Sequence, residues 1–237
     1  MIPLVYFARP NSSILRLGRT KFDSRALGQT CLNGSSELMS NISMSIVGML
    51  YNVQLLRYAG EDGVAAYGVL MYVSMIFQAI FIGYAVGTAP IIGYHYGAEN
   101  NQELKGLLRK SLALIGVFAV VMFAAAYSLA RPLALIYVGY DEGLLNLTIR
   151  AFSIFAFSFL FSGFAIFGSS FFTALNNGPV SAAISFVRTL VFQIAAVLIF
   201  PLIWKVDGIW LSIVVAEMMA VVVTALFLKG QQKRYQY

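Results

Sequence analysis

The sequence predicts an all-α membrane protein, a bundle of six membrane-spanning helices, and three observations carry that prediction. The first is composition. Of 237 residues, 59% are hydrophobic and 11% are charged, with a mean hydropathy of +0.79; a soluble domain carries about 25% charged and 45–50% apolar residues. The second is segmentation. Six apolar runs of about 20 residues follow one another, the length that a ~30 Å hydrocarbon layer demands of a helix, and polar, turn-forming stretches separate them. The third is charge asymmetry between the two sets of connecting segments.

The elements follow in order. Residues 1–33 read as the end of a preceding span, MIPLVYF, plus a basic cytoplasmic linker, RPNSSILRLGRTKFDSRALGQ. MIPLVYF is too short for a signal h-region and no small-residue cleavage site follows it. A transmembrane lobe over 34–229 holds spans at about 36–56, 64–92, 107–130, 147–173, 180–203 and 208–228. RYAGEDG, YHYGAENNQE, ARP…GYDEG, NNGP and WKVDG punctuate them. Residues 230–237 form a basic cytoplasmic tail.

An even number of spans puts both ends of the lobe on one side. That side collects Arg9, Arg16, Arg19, Lys21, Arg25, Lys105, Arg109, Lys110, Lys229, Lys233 and Arg234 against Asp23, Glu99 and Glu103. The other side holds Arg57, Arg131, Arg150 and Lys205 beside Glu61, Asp62, Asp141, Glu142 and Asp207. The excess of Lys and Arg makes the first side cytoplasmic. A multi-pass protein of the cell (plasma or inner) membrane with both termini inside is therefore expected. The net charge of +6 is a product of topology, and no nucleic-acid partner is expected.

Polar residues inside the spans are the candidates for function. In the first span Glu37, Asn41, Ser45, Gly48 and Asn52 recur at spacings of four, four, three and four, which a helix gathers on one face. The positions read as facing away, such as Leu38, Ile42, Met49 and Val53, are apolar. An unsatisfied polar atom in hydrocarbon costs several kcal/mol. Such a stripe therefore lines a cavity or glues the helix to its neighbours. Arg188, in AAISFVRTLVF, either snorkels toward the cytoplasm or takes a partner. Glu217, in WLSIVVAEMMAVVV, sits ten residues into its span, too deep to reach water easily. It is either protonated or paired with a base such as Arg188, and it is a candidate for a proton or cation relay. Nine phenylalanines crowd 152–172, a surface suited to apolar or cationic ligands by area and cation–π attraction, although they go round the whole helix.

Other chemistries find little support. His95 is the sole histidine and stands alone in APIIGYHYGAEN, an interfacial residue by position. The nearby glycines do not form a GxxxxGK[ST] loop. Gly83 and Gly87, four apart, suit a close helix approach, and Pro90 loosens the second span near its end. Cys31 is the only cysteine, so neither a disulfide framework nor a zinc cluster is expected. Hydrolysis at membrane depth needs a Ser/His pair or paired acids, and none is placed for it. No catalytic residue and no metal site are assigned, and an enzyme is not expected.

Several segments in the same order resemble the carboxyl-terminal six-helix lobe of the multidrug and toxic-compound extrusion (MATE) transporters. They are NGSSELMSNISMSIVGMLYN, GVAAYGVLMYV, IFIGYAVGTAPIIGYHYGAENNQELKGLLRKS, SSFFTALNNGPVSAAISFVRTLVF and DGIWLSIVVAEMMA. The resemblance implies one lobe of a two-lobe secondary antiporter that exports small organic cations in exchange for Na⁺ or H⁺ by alternating access, with no cofactor beyond that coupling ion. The expected ion or substrate pathway runs through the stripe residues Glu37, Asn41, Ser45 and Asn52 together with Arg188 and Glu217. The last two fall where that family tends to have an Arg and a Glu, whereas Glu37 lies nearer the cytoplasmic end than the acidic residue of some members. The resemblance also implies that the partners are the lipid bilayer and an amino-terminal six-helix lobe that this chain lacks, so that the chain is a truncated fragment or half-transporter and alone does not transport. The alternative within the same superfamily is a lipid-linked oligosaccharide flippase, whose cavity is typically more cationic.

Overall fold

A computed structural model describes residues 22–235 and 237, the side chains of Asn33, Ser36, Glu37, Met39, Ser40 and Lys233 excepted. The chain divides into two compact units, Met1–Cys31 and Leu32–Tyr237. In the first, the Asp23 side chain accepts hydrogen bonds from the backbone N–H groups of Arg25 and Ala26 at 2.9 and 3.0 Å, satisfying donors that a helix start leaves open.

Only helices and their connections are found among the described residues. They are α1 (Ser24–Gly97), α2 (Asn101–Val138), α3 (Glu142–Ala156), α4 (Phe159–Ala174), α5 (Gly178–Phe186), a π-helical segment (Val187–Phe192) and α6 (Gln193–Tyr235). A straight helix as long as α1 would measure about 111 Å at 1.5 Å per residue, several times the hydrocarbon thickness. It is not straight. Gly60 has φ 66° and ψ −155°, a conformation open essentially to glycine alone. The rings of Tyr51 and Tyr67 stack at 5.5 Å, where an unbroken helix would hold them ~24 Å apart. The chain therefore turns back at Gly60. α6 does the same at Lys205, with φ 50° and ψ −125°. There a Cβ on Gly208 would lie 2.3 Å from the Phe200 carbonyl, so the returning strand of helix needs a glycine.

Three helical stretches, Asn41–Gly97, Asn101–Val138 and Gly178–Gln232, are long and apolar enough to cross a membrane, and α3 with α4, bent by 50°, makes a fourth. The breaks at Gly60 and Lys205 divide the first and third, so six apolar stretches follow one another. Side chains cap the starts of three helices: Asn100 accepts from Glu103 N–H, Asp141 from Leu144 N–H and Asn177 from Val180 N–H. Pro90 is accommodated within α1, which continues to Gly97, because a proline removes one ladder bond and not the whole helix.

α4 packs against α2, α5 and α6, and the phenylalanine wall of the fourth stretch lies largely inside. Phe152, Phe155, Phe159, Phe167, Phe171 and Phe172 are all buried, so they are core and not a ligand surface. The close helix approaches are not where Gly83 and Gly87 suggest. A Cβ at either would meet nothing within 4 Å, whereas one at Gly163 would meet the Phe81 ring at 2.6 Å and one at Gly168 the Thr224 methyl at 2.1 Å. Small residues permit approach but do not choose a partner, and here bulky side chains from α1 and α6 enter the α4 gaps.

Candidate functional site

The first stretch of α1 has three faces where a two-sided helix was expected. Ser43, Val47, Tyr51, Gln54 and Leu55 turn inward and are buried. Asn41, Ser45 and Asn52 are exposed, and so are Leu38, Ile42, Met49 and Val53. The apolar positions therefore do not hold the helix to the lobe. A narrow third stripe does, and it leaves both the polar and the apolar sets on the outside. Glu37 belongs to a helical turn, but its side chain lies outside the described residues. Ser45 Oγ donates to the Asn41 carbonyl at 3.2 Å. Asn52 lines an open cleft of about 470 Å³ beside the Gly60 turn with Val53, Leu56, Glu61, Val64 and Ala65.

The buried stripe ties three stretches together. Tyr51 Oη and Ser212 Oγ lie 2.7 Å apart, and Ser212 Oγ also donates to the Ile209 carbonyl at 2.6 Å. Gln54 Nε2 donates to the Val197 carbonyl at 3.2 Å. A buried amide or phenol must find such partners, and these join the first half of α1 to both halves of α6.

Glu217 lies five residues beyond Ser212, near enough for its charge to act on the Tyr51 phenol. Its partner is Arg188, carried by the π-helical segment that interrupts the fifth stretch. Arg188 Nε donates to Glu217 Oε1 and Oε2 at 3.1 and 2.9 Å, and Nη2 donates to Oε1 at 2.9 Å. The two side chains are 16% and 5% exposed. Of the two options the sequence left open for Glu217, the structure takes pairing. The guanidinium fork meets the carboxylate in two-point contact, the strongest neutralisation available to it. Wide π turns recur at functional positions; this one sets the Arg188 side chain toward α6.

A second polar feature escaped the sequence reading. Ser169 Oγ lies 2.8 Å from Ser181 Oγ and 2.9 Å from Ser185 Oγ, and Thr173 Oγ1 lies 2.7 Å from Ser181 Oγ. These hydroxyls join α4 to α5 one turn before the π-helical segment. The i, i+4 spacings Ser169/Thr173 and Ser181/Ser185 were the available signal. His95 is half-buried with Nδ1 unpaired, and its ring meets Tyr94 edge-on at 5.4 Å. Among the described residues no group of three or more His, Cys, Asp or Glu is placed to hold a metal ion. The structure thus brings Arg188 and Glu217 together, adds Tyr51 and Ser212 to their surroundings, and leaves Asn41, Ser45 and Asn52 on an outer face.

Comparison with known proteins places this architecture. No curated protein sequence matches the chain. Solved structures do. The outward-facing conformation of a multidrug resistance MATE family transporter of the MOP superfamily superposes with a TM-score of 0.86 at 21% identity, over 92% of this chain and 49% of that one. The inward-facing conformation of such a transporter gives 0.81 at 22%, over 91% and 50%. A MOP superfamily transporter from Pyrococcus furiosus, described as having a binding pocket of reversed polarity that suggests a different function, gives 0.83 at 23%, over 91% and 49%. The chain spans about half the length of these proteins. The MatE family model matches residues 38–199, more than half of the chain. The chain belongs to the MatE family and is a multi-pass, all-helical membrane protein with the fold of one lobe of a MATE-type transporter.

Proposed function

We propose that the chain is the carboxyl-terminal lobe of a secondary antiporter that exports small organic cations in exchange for Na⁺ or H⁺, with both termini cytoplasmic. One observation carries the reading. The polar residues Asn41, Ser45 and Asn52 stand on an outer face of a lobe that spans half the length of its structural relatives. A face of that kind is costly to turn to lipid, because amide and hydroxyl groups lose free energy on transfer from water to hydrocarbon. A second six-helix lobe facing it encloses a wet cleft, and rocking of the two lobes opens that cleft alternately to each side. That the same lobe resembles both outward-facing and inward-facing transporters is what rigid-body rocking calls for. The pairing of Arg188 with Glu217 favours a cationic cargo over an anionic lipid-linked sugar, since it leaves this guanidinium no free charge to offer an anion.

Reconstitution tests the reading. Liposomes holding this chain together with an amino-terminal MatE lobe are loaded with ethidium, and a Na⁺ or proton gradient is imposed. Gradient-driven ethidium movement is expected. Movement of a lipid-linked oligosaccharide with none of ethidium would replace the antiporter with a flippase.

A further inference from the structure

The last residues of the chain are folded onto the ends of three membrane stretches. Tyr237 Oη donates to the Leu228 carbonyl at 2.9 Å. Its ring meets Phe171 of α4 edge-on at 5.2 Å and stacks with Tyr235 at 6.3 Å. Tyr235 in turn meets Tyr96, at the end of α1, edge-on at 5.6 Å. Tyr235 and Tyr237 are only 7% and 4% exposed. Four rings and a hydrogen bond therefore fasten the tail at one end of the bundle.

The clasp also fixes charge. The Arg234 guanidinium lies over the Tyr235 ring at 5.5 Å, and Lys229 is the exposed residue next to Leu228. Tyr96 stands four residues before the Asn100 cap of α2, whose first turns present Lys105, Arg109 and Lys110 to the outside. Lys229 and Arg234 thus flank the clasp, and Lys105, Arg109 and Lys110 follow at exposed positions of α2 beyond Glu99 and Glu103. A basic tail left free would lose conformational freedom on binding a phosphate. One already pinned by its aromatic neighbours loses far less.

We propose that this aromatic clasp and its basic residues form a seat for the headgroup of an anionic phospholipid. The chemistry is that of a phosphodiester: a guanidinium fork for its oxygens, ammonium groups around it, and tyrosines at headgroup depth. The source is the membrane and not free phosphate, because every element of the seat is the end of an apolar stretch, where a lipid's tails have somewhere to lie. The site is independent of what the lobe transports.

Native mass spectrometry of the purified chain, offered equal amounts of phosphatidylglycerol and phosphatidylcholine, tests it. The chain is expected to retain phosphatidylglycerol preferentially. Arg234→Gln and Lys229→Gln, both at exposed positions, each lower that retention about fivefold, the equivalent of about 1 kcal/mol per basic residue at an anionic surface. Removal of Tyr237, or Tyr235→Leu, deletes no side-chain charge and still lowers the preference, while Tyr235→Phe keeps the ring and keeps it. Equal retention of the two lipids by the unaltered chain would overturn the proposal. So would an undiminished preference after Tyr237 is removed, or displacement of the lipid by inorganic phosphate at the same concentration.

Discussion

Arg188 and Glu217 face each other across the Lys205 reversal, 29 residues apart in sequence and joined at two points by a guanidinium and a carboxylate. An unbroken helix would hold them ~44 Å apart, so this contact exists only because α6 folds back. It fastens the fifth stretch to the sixth, with Glu217 buried and Arg188 mostly so.

The two partners are not equivalent when one is lost. Arg188→Met leaves a carboxyl that can take up a proton, whereas Glu217→Leu leaves a guanidinium that cannot give one up. Removing one member of a buried pair costs about 3–5 kcal/mol in soluble proteins. Glu217→Leu is expected at the upper end and Arg188→Met below it, with the double variant milder than either. Denaturation of the four proteins in detergent reads this directly, and equal losses from the two single changes would contradict the pairing.

The hydroxyl of Tyr51 matters less than its ring. Ser212 keeps its bond to the Ile209 carbonyl when Tyr51→Phe removes the phenol, so no buried donor is stranded, and a loss of about 0.6–1 kcal/mol is expected. Tyr51→Ala also removes the stack on Tyr67 and opens a cavity, at about 3–5 kcal/mol. Thermal unfolding should rank the two in that order.

Glycines divide sharply. Gly168→Ala drives a methyl into Thr224 and Gly163→Ala drives one into Phe81, each expected to destabilise by about 1–3 kcal/mol. Gly83→Ala and Gly87→Ala, with open space around them, leave the stability of the lone lobe unchanged. Gly60→Ala places a side chain in a glycine-only region, at about 1–3 kcal/mol.

The clasp has a pH signature. Burial, aided by the neighbouring Tyr235 phenol, pushes the Tyr237 phenol above its ordinary value of 10.0. The folded chain holds that proton more tightly than the unfolded one. Its contribution is therefore fully present below pH 10 and lost as pH rises above it. Ultraviolet titration of the unaltered chain and of Tyr237→Phe should differ by one tyrosine that ionises above pH 10.

Much of this was legible in the sequence, for reasons that differ by element. The reversals at Gly60 and Lys205 fall within polar or turn-forming segments, and Gly60 in AGEDG announces its own backbone. Lys205 does not, since nothing in WKVDG marks a lysine for positive φ. Arg188 and Glu217 stood out because charge is rare at membrane depth. Tyr51, Ser212 and the Ser169–Ser181 network did not, because tyrosine and serine are ordinary in such helices and only the fold says which of them meet. The inward stripe of α1 was hidden for a related reason. Hydropathy separates polar from apolar but does not tell a lobe-facing apolar position from a lipid-facing one.

The central claim is that the Asn41–Ser45–Asn52 face borders water between two lobes. It is tested most directly by cysteine labelling in membranes holding this chain with an amino-terminal lobe, after Cys31→Ser removes the native thiol. Ser45→Cys should react with a membrane-impermeant maleimide and be protected by an organic cation, while Ile46→Cys, about 100° further round the helix, should stay unreacted in lipid. An inert cysteine at position 45, or equal labelling at both positions, would contradict the account.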